Sequence, residues 1–387
     1  MSNLQRDLMK ARLPPMAPRT AKNAAPGRQK DYSPTEWKNY FEDFIDVKTS
    51  TDEPETSFRV YRSKPPETPN APVLVLLHGG GFNGLTWSVF TTEITSVIHC
   101  QCLAIDFRGH GNTKTGDDDD LSAETMAHDI ANVLLKLYEN EMPPSFLLMG
   151  HSMGGAIAIH IGAMRLVPTL LGIVVIDVVE GTAMESLQSM QSFLRSRPTH
   201  FKSIINAIEW CVRSGQIRNV ESAKVSMPGQ IVNCDTQMLA TSELPLECTS
   251  ADSTGLVDLN SIPEDAEEAI AENKFLAPAD VNPAKYTWRI DLSKSEQFWN
   301  GWFEGLSDKF LDITVPKLLI LAGIDNLDKK LTVGQMQGKF QLAVLARTGH
   351  AVHEDQPHQV AETIASYLIR NRFAEAKEGF EYHMPQC

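Results

Sequence analysis

The chain has 387 residues, enough for one large or two small domains around a sizeable core. Hydrophobic residues at 42% and charged residues at 22% place it among soluble globular proteins rather than disordered or membrane-spanning ones. A net charge of −14 repels phosphate and so excludes non-specific binding to nucleic acid or to an anionic membrane. The six cysteines (Cys100, Cys102, Cys211, Cys234, Cys248, Cys387) form no C-x-x-C pair or ligand cluster, so no metal and no cofactor is expected. They read as reduced thiols of a cytoplasmic or nuclear protein, and no apolar leader is visible at the N-terminus. The most apolar window, 146–177, is broken by His151, His160, Arg165 and Pro168, and reads as core rather than as a membrane span.

Residues 1–32 are basic, rich in Pro, Ala and Arg, and without periodicity, which predicts a disordered tail. Pro34 to Trp37 reads as a helix start. Ser57 to Arg62 alternates polar and apolar residues, as a half-exposed antiparallel strand does. Pro72 to Leu77 is a continuous apolar run, the mark of a strand covered on both faces. It ends in His78-Gly79-Gly80-Gly81, a loop whose backbone can approach a substrate oxygen. Gly80, or Gly81 in its place, and Met153 are the candidate oxyanion-hole donors. Gln101 to Asp106 is a further buried strand. Asp106 and Arg108 after it are expected to fix the loop rather than to react. Asp117 to Asp120 reads as a solvated run, since it lacks the ligand alternation of a calcium loop. Ser122 caps a helix running to about Tyr138.

The apolar run Phe146–Met149 leads straight into Gly150-His151-Ser152-Met153-Gly154, and small residues follow. This is a G-x-S-x-G nucleophile elbow in its context of strand, sharp turn and helix. It lifts the Ser152 hydroxyl to a helix N-terminus, where free N–H groups favour developing negative charge. Leu171 to Ile176 forms the next buried strand and delivers Asp177 at its C-terminal end. Residues 184–313 break the alternation of strand and helix and read as a lid inserted into the core. Within them 184–227 is helical in pattern, 234–282 is acidic and expected to be a mobile loop, and 286–302 is aromatic. Core segments 33–183 and 314–387 flank the lid. The second carries strands at 316–322 and 341–345, and a closing helix over 361–370. The whole predicts an α/β class protein with an α/β-hydrolase fold: a mostly parallel, doubly wound sheet with a helical lid insertion.

A serine hydroxyl needs an adjacent base. His350, on the loop after the last strand, completes the order serine, acid, histidine that α/β-hydrolases use. His353 is displaced and reads as surface or structural. Two acids are open: Asp177, and Asp325 after the strand that follows the lid, which position alone slightly prefers. Trp288, Trp299, Trp302 and Phe303 read either as walls of a pocket or docking site or as the lid's own core.

Several long stretches together resemble the protein phosphatase methylesterase family: Gly150–Gly155 (GHSMGG), Ile176–Met184 (IDVVEGTAM), Ser214–Ile217 (SGQI), Tyr286–Ile290 (YTWRI), Gly334–Phe340 (GQMQGKF) and Gly349–Asp355 (GHAVHED). The likeness covers most of 31–374, much of the lid included, and leaves out the tail and the acidic loop. It implies Ser152, Asp177 and His350 as the triad, with Asp325 in a supporting role at most. It also implies a substrate, the C-terminal leucine methyl ester of the protein phosphatase 2A catalytic subunit. Leu259, Ile262 and Glu264 fit L-x-x-I-x-E and resemble the short motif read by B-prime regulatory subunits of that phosphatase. The rival readings are a generic small-ester hydrolase and a non-catalytic phosphatase-binding inhibitor.

Overall fold

The computed structural model describes residues 30–49, 56–68, 71–139, 145–244, 284–323 and 327–380. Residues 1–29 of the expected tail, 245–282 of the acidic segment, Asp325, and the motif residues Leu259, Ile262 and Glu264 lie outside the described residues.

The apolar runs become the middle of a sheet. Eight of the described strands lie in it: β1 (Asp43–Lys48), β2 (Ser57–Arg62), β3 (Val73–Leu77), β4 (Gln101–Ile105), β5 (Phe146–His151), β6 (Leu170–Ile176), β10 (Lys317–Leu321) and β11 (Gln341–Val344). Their spatial order is β1-β2-β4-β3-β5-β6-β10-β11. The first two pairings, β1 with β2 and β2 with β4, are antiparallel, and every later one is parallel. Every residue of β3, β5 and β10 is buried. Successive residues of these strands enter opposite core clusters: Val75 and Leu77 join one, Leu74 and Leu76 the other. That is the period-two alternation of a sheet covered on both faces.

The first face packs on helices α2 (Ala123–Leu137) and α3 (Met153–Met164), the second on α1 (Ser88–Val97) and the closing helix α11 (Pro357–Arg370). Ser122 caps α2, its hydroxyl accepting from Thr125 N–H, as the sequence predicts. Two local expectations change. The helix start at Pro34 is only a 3₁₀ turn over Trp37–Asn39, with Glu36 still extended. Strand β1 carried no clear signal, because its two aspartates lower strand propensity. It is held by cross-strand ion pairs, Asp46 with Arg59 at 2.6 Å and Asp43 with Arg62 at 2.5 Å.

The insertion contains helices α4 (Glu180–Ser196), α5 (Ile204–Ser214), α6 (Val220–Ser226), α7 (Glu296–Phe303) and α8 (Leu306–Asp312). A small antiparallel sheet of β7 (His200–Phe201), β8 (Ile231–Asn233) and β9 (Tyr286–Trp288) ties it together, in the order β7-β9-β8. The helical character of 184–227 is present, divided into three helices and a strand. The beginning of the expected mobile loop is ordered instead: Leu244 and Ala240 are buried, and Asn233 Nδ2 donates to Glu243 at 2.7 Å. After the insertion come α9 (Lys329–Met336) and a short helical turn, α10 (Val352–Asp355).

The insertion is not one body resting on another. Phe201, Ile204, Ile208, Met227 and Tyr286 form a cluster of their own. Trp299, Trp302, Phe303 and Phe310 instead belong to the main core beneath the sheet. The acid run holds this arrangement and is not simply solvated. Asp118 pairs with Arg289 at 3.0 Å and Asp119 with Lys294 at 3.3 Å, while Asp120 accepts from Ser122 N–H and Thr125 Oγ1.

Candidate active site

Ser152 sits between β5 and α3 with φ +51° and ψ −119°, a conformation that non-glycine residues rarely adopt. The elbow survives because its neighbours lack side chains. A Cβ on Gly150 would lie 2.2 Å from the Gly154 carbonyl oxygen, and one on Gly154 would lie 2.3 Å from that of Leu77. The Ser152 N–H donates to Ile176 O at 2.9 Å, which anchors the turn to β6.

Strand β6 ends in Asp177, also at positive φ. Its N–H donates to Ile320 O at 2.8 Å, and Ala322 N–H donates to its Oδ1 at 3.0 Å. Its other oxygen, Oδ2, lies 2.8 Å from His350 Nδ1. Burial pushes the Asp177 carboxyl up, but the His350 hydrogen bond, the His350 charge and the Ala322 N–H together hold it below the usual range. The carboxylate therefore stays ionised and fixes the tautomer of His350, whose Nε2 is left to face the cavity. Of the two acids left open by the sequence, Asp177 contacts His350, and Asp325 lies outside the described residues.

Ser152, His350, Met153 and Gly80 line one cavity of about 510 Å³. Among the described residues no hydrogen bond joins Ser152 to His350, and the His350 side chain is 57% exposed. The two candidate backbone donors converge from separate elements. Met153 is the first residue of α3, so its N–H lacks an intrahelical partner. On the glycine loop the Gly81 N–H already donates to His110 Nε2 at 2.9 Å, which leaves Gly80 as the candidate donor there. His110 Nδ1 donates to the Arg108 carbonyl at 2.8 Å, so Nε2 is the accepting nitrogen. Burial lowers His110 to about 4, which keeps it neutral and able to accept.

Asp106 and Arg108 hold loops, as expected. Asp106 accepts from Gly84 N–H at 2.6 Å and Asn112 N–H at 2.8 Å, and Arg108 forks onto Asp129. His353 is structural and fully buried, never a surface residue. Its ring lies 4.2 Å from that of Trp87, and its Nε2 is 3.0 Å from Thr86 Oγ1. Three further residues escaped the sequence. His151, the variable position of the elbow, donates from Nε2 to the His350 carbonyl at 2.8 Å and so ties the His350 loop to the Ser152 turn. Glu354 is fully buried and accepts from Thr86 Oγ1 at 2.5 Å and Ser226 Oγ at 2.6 Å, joining the glycine-loop side of the core to α6. Arg197, at the end of α4, lines the cavity wall. The first two had a signal only in hindsight, a His or Glu within two or four positions of a reacting residue; Arg197 had none.

The lid aromatics do both jobs left open by the sequence. Trp299, Trp302 and Phe303 are buried in the core and line the cavity at the same time. Their indoles are satisfied, Trp302 by Leu121 O at 2.7 Å and Trp299 by Ser295 Oγ at 2.8 Å. Among the described residues no group of three or more His, Cys, Asp or Glu is placed to hold a metal ion, and no helix is long and apolar enough to cross a membrane.

Elbow, glycine loop and acid–histidine pair at the strand ends define an α/β-hydrolase. The alpha/beta hydrolase family model matches residues 74–363. Solved structures agree on the fold: E-2-(acetamidomethylene)succinate hydrolase at a TM-score of 0.58 and 16% identity, over 84% of this chain and 100% of that one, and a Mycobacterium tuberculosis esterase at 0.55 and 19%, over 84% and 91%. The sequence goes further. Protein phosphatase methylesterase 1 of Mus musculus is 49% identical over 100% of both chains. The probable enzyme of that name in Caenorhabditis elegans is 40% identical over 94% of this chain and 84% of its own, and that of Schizosaccharomyces pombe 34% over 87% and 86%. The chain belongs to the protein phosphatase methylesterase 1 family within the α/β-hydrolases, and it is a methylesterase.

Proposed function

We propose that this methylesterase uses Ser152, His350 and Asp177 to remove the methyl group from the C-terminal leucine ester of the protein phosphatase 2A catalytic subunit. The observation that carries the mechanism is the 2.8 Å pair of Asp177 Oδ2 and His350 Nδ1, set on the cavity that Ser152 enters from its strained elbow. Ser152 Oγ attacks the ester carbonyl carbon and its proton passes to His350 Nε2. The Gly80 and Met153 N–H groups stabilise the oxyanion. His350 then protonates the methoxy oxygen, the C–O bond breaks, and methanol leaves. A water deprotonated by His350 attacks the acyl carbon, Ser152 recovers its proton, and a free leucine carboxylate remains.

The lack of a Ser152–His350 hydrogen bond among the described residues fits a site completed by its substrate. A methyl ester offers little binding area of its own, so docking of the phosphatase supplies the energy that brings nucleophile and base together. The regulatory B-prime subunit is a further proposed partner, through Leu259, Ile262 and Glu264. The site of action is proposed to be the cytoplasm or nucleus.

The test is to incubate the protein and its Ser152→Ala variant with methylated phosphatase 2A catalytic subunit and follow the methyl ester. Loss with the parent alone supports the reading. Retention with both, while a small ester is still hydrolysed by the parent, replaces it with the generic hydrolase. Equal loss with both removes Ser152 as nucleophile.

A further inference from the structure

The cavity wall holds one fully charged cation. Among the residues lining it, Asp177, Arg197 and His350 are the ones that titrate or carry charge, and two of these are spent on each other. Arg197 has no such partner. Its guanidinium carbon lies 3.4 Å from the ring centre of Trp288, a stacked cation–π contact that leaves the N–H edge free. Among the described residues no carboxylate pairs with it, and its Nε is buried without an acceptor. Gln216, on the same wall, is similar: its Nε2 donates to Gln230 Oε1 at 3.2 Å, while its own Oε1 is buried without a donor. Other buried atoms also lack a partner among the described residues, Gln230 Nε2 and Tyr367 Oη among them, but of the residues that carry such atoms Arg197 and Gln216 are the two that line this cavity, and a ligand entering it is what can meet them.

Arg197 also marks where the cavity continues. A second groove of about 470 Å³ shares Leu194, Arg197, Leu292 and Trp299 with the first. Beyond them its lining turns polar and mixed in charge, with Arg195, Thr199, His200 and Ser293, and with Asp291 and Glu296, whose carboxylates are already taken up by Ser293 and Gln191. The near wall of the catalytic cavity is apolar, with Val178, Val179, Met190, Trp302 and Phe303. A leucine ester held at Ser152 has an apolar side chain and a peptide chain leading away from it. The apolar wall suits the first, and the passage past Arg197 suits the second.

We infer that Arg197 is a specificity residue for the peptide substrate: it receives a side-chain carboxylate of a residue upstream of the ester, as the chain passes from the cavity into the second groove. Gln216 accepts a backbone N–H of the same segment. This rests on the peptide-ester reading above. A planar guanidinium already pre-ordered by Trp288 binds a carboxylate with two parallel hydrogen bonds and little entropy loss. It also supplies a local attraction for an acidic peptide on a protein whose net charge of −14 repels one.

The experiment uses short peptides ending in leucine methyl ester, with aspartate placed in turn at each of several upstream positions and its asparagine isostere as the partner. The readout is the ratio of kcat/KM for the two at each position. The parent is expected to prefer aspartate at one position by about tenfold, a charge-assisted hydrogen bond lost in the isostere. Arg197→Gln should bring the ratio to about one, and Arg197→Lys should restore part of it. Should Arg197→Gln fail to fold, raising salt is expected to shrink the parent's ratio several-fold, since a partly open ion pair is screened. The same ratio is read as binding to Ser152→Ala protein, which needs no turnover. No aspartate preference at any position, or the same preference in Arg197→Gln, overturns the inference. Failure to cleave either set of peptides counts against the peptide-ester reading instead, and the binding ratio still decides the role of Arg197.

Discussion

The loops at the strand ends and the lid wall facing them treat the polar groups next to the cavity differently. In the loops the carboxylates of Asp106 and Asp177 and the ring nitrogens of His78 and His110 have partners, many of them backbone N–H groups, while the Nδ1 atoms of His151 and His353 behind them have none among the described residues. On the lid wall Arg197 Nε and Gln216 Oε1 are buried and unmet. The contrast separates two tasks. The chemistry needs the carboxylate and the glycine loop fixed before the substrate arrives. Selection needs groups whose best partner is the substrate, so that a wrong ligand leaves them unsatisfied.

The largest expected effect breaks the preorganised side. Asp177→Asn keeps the shape of the carboxyl group but offers the His350 ring an ambiguous partner. We expect a drop in kcat of about 10⁴-fold with little change in melting temperature, measured on a small ester as well as on peptide. A drop of less than about tenfold would mean that another acid orients the base.

Glu354 comes next, as a test of how far that preorganisation depends on the network behind it. Glu354→Ala leaves a void and strands the Thr86 and Ser226 hydroxyls, both buried. We expect a loss of about 3 kcal/mol in urea unfolding, against about 1 kcal/mol for Glu354→Gln, which keeps the volume and an acceptor.

The same groups set the pH profile of stability. Burial pushes Glu354 up to about 8, a rise lessened by the Ser226 and Thr86 hydroxyls. The native state thus holds this proton where the unfolded chain releases it, and stability falls as pH rises from about 4.5 to 8. Asp106, which burial pushes to about 6, acts in the same direction over a lower range. The buried histidines act oppositely. His353 is lowered to about 3 and His110 to about 4, and His78 and His151 are well below their usual value, in each case chiefly by burial. The unfolded chain takes up their protons first, so stability is lost as pH falls below about 6.5. With His160, also lowered chiefly by burial, these histidines outweigh Glu354 and Asp106 on that limb, so thermal melts should show a maximum near pH 6.5–7. Glu354→Gln should flatten only the limb between about 6.5 and 8, and an unchanged slope there would show that Glu354 is not what titrates.

Much of this arrangement was legible in the sequence, and unevenly so. The central strands announce themselves because both faces are covered, which forces continuous apolar runs such as Val73–Leu77. The elbow announces itself because its backbone tolerates only glycine at 150 and 154. The acid did not, since Asp177 and Asp325 both follow strands, and the contact of Asp177 with His350 spans 173 residues of chain. His151 and Glu354 were hidden because their partners lie 199 and 268 residues away in the chain, beyond any local pattern. The acid run at 117–120 misled for the same reason: its cations belong to the lid.

That run gives the finest test of the contrast, because it links core to lid by two ion pairs of different exposure. Asp118 and Arg289 have side chains 33% and 24% exposed, and Arg289 also donates to Gly111 O and Thr113 O. Burial pushes the Asp118 carboxyl up, but hydrogen bonds from Arg289 and Thr115 hold it below the usual range. Asp119 and Lys294 are 70% and 60% exposed and make nothing more of their contact. Pairs of the second kind contribute little, because solvent screens them and two long side chains must be ordered to make them. Lys294→Ala should therefore change stability by less than about 0.5 kcal/mol at any salt concentration. Arg289→Ala should cost about 1–2 kcal/mol, since it also frees two carbonyls of the loop that carries His110. It should also slow the esterase several-fold, because His110 holds the Gly81 N–H and through it the position of Gly80. Equal effects from the two substitutions would mean that the lid is held by charge alone. An Arg289→Ala effect on stability without one on rate would mean that the glycine loop is fixed independently of the lid.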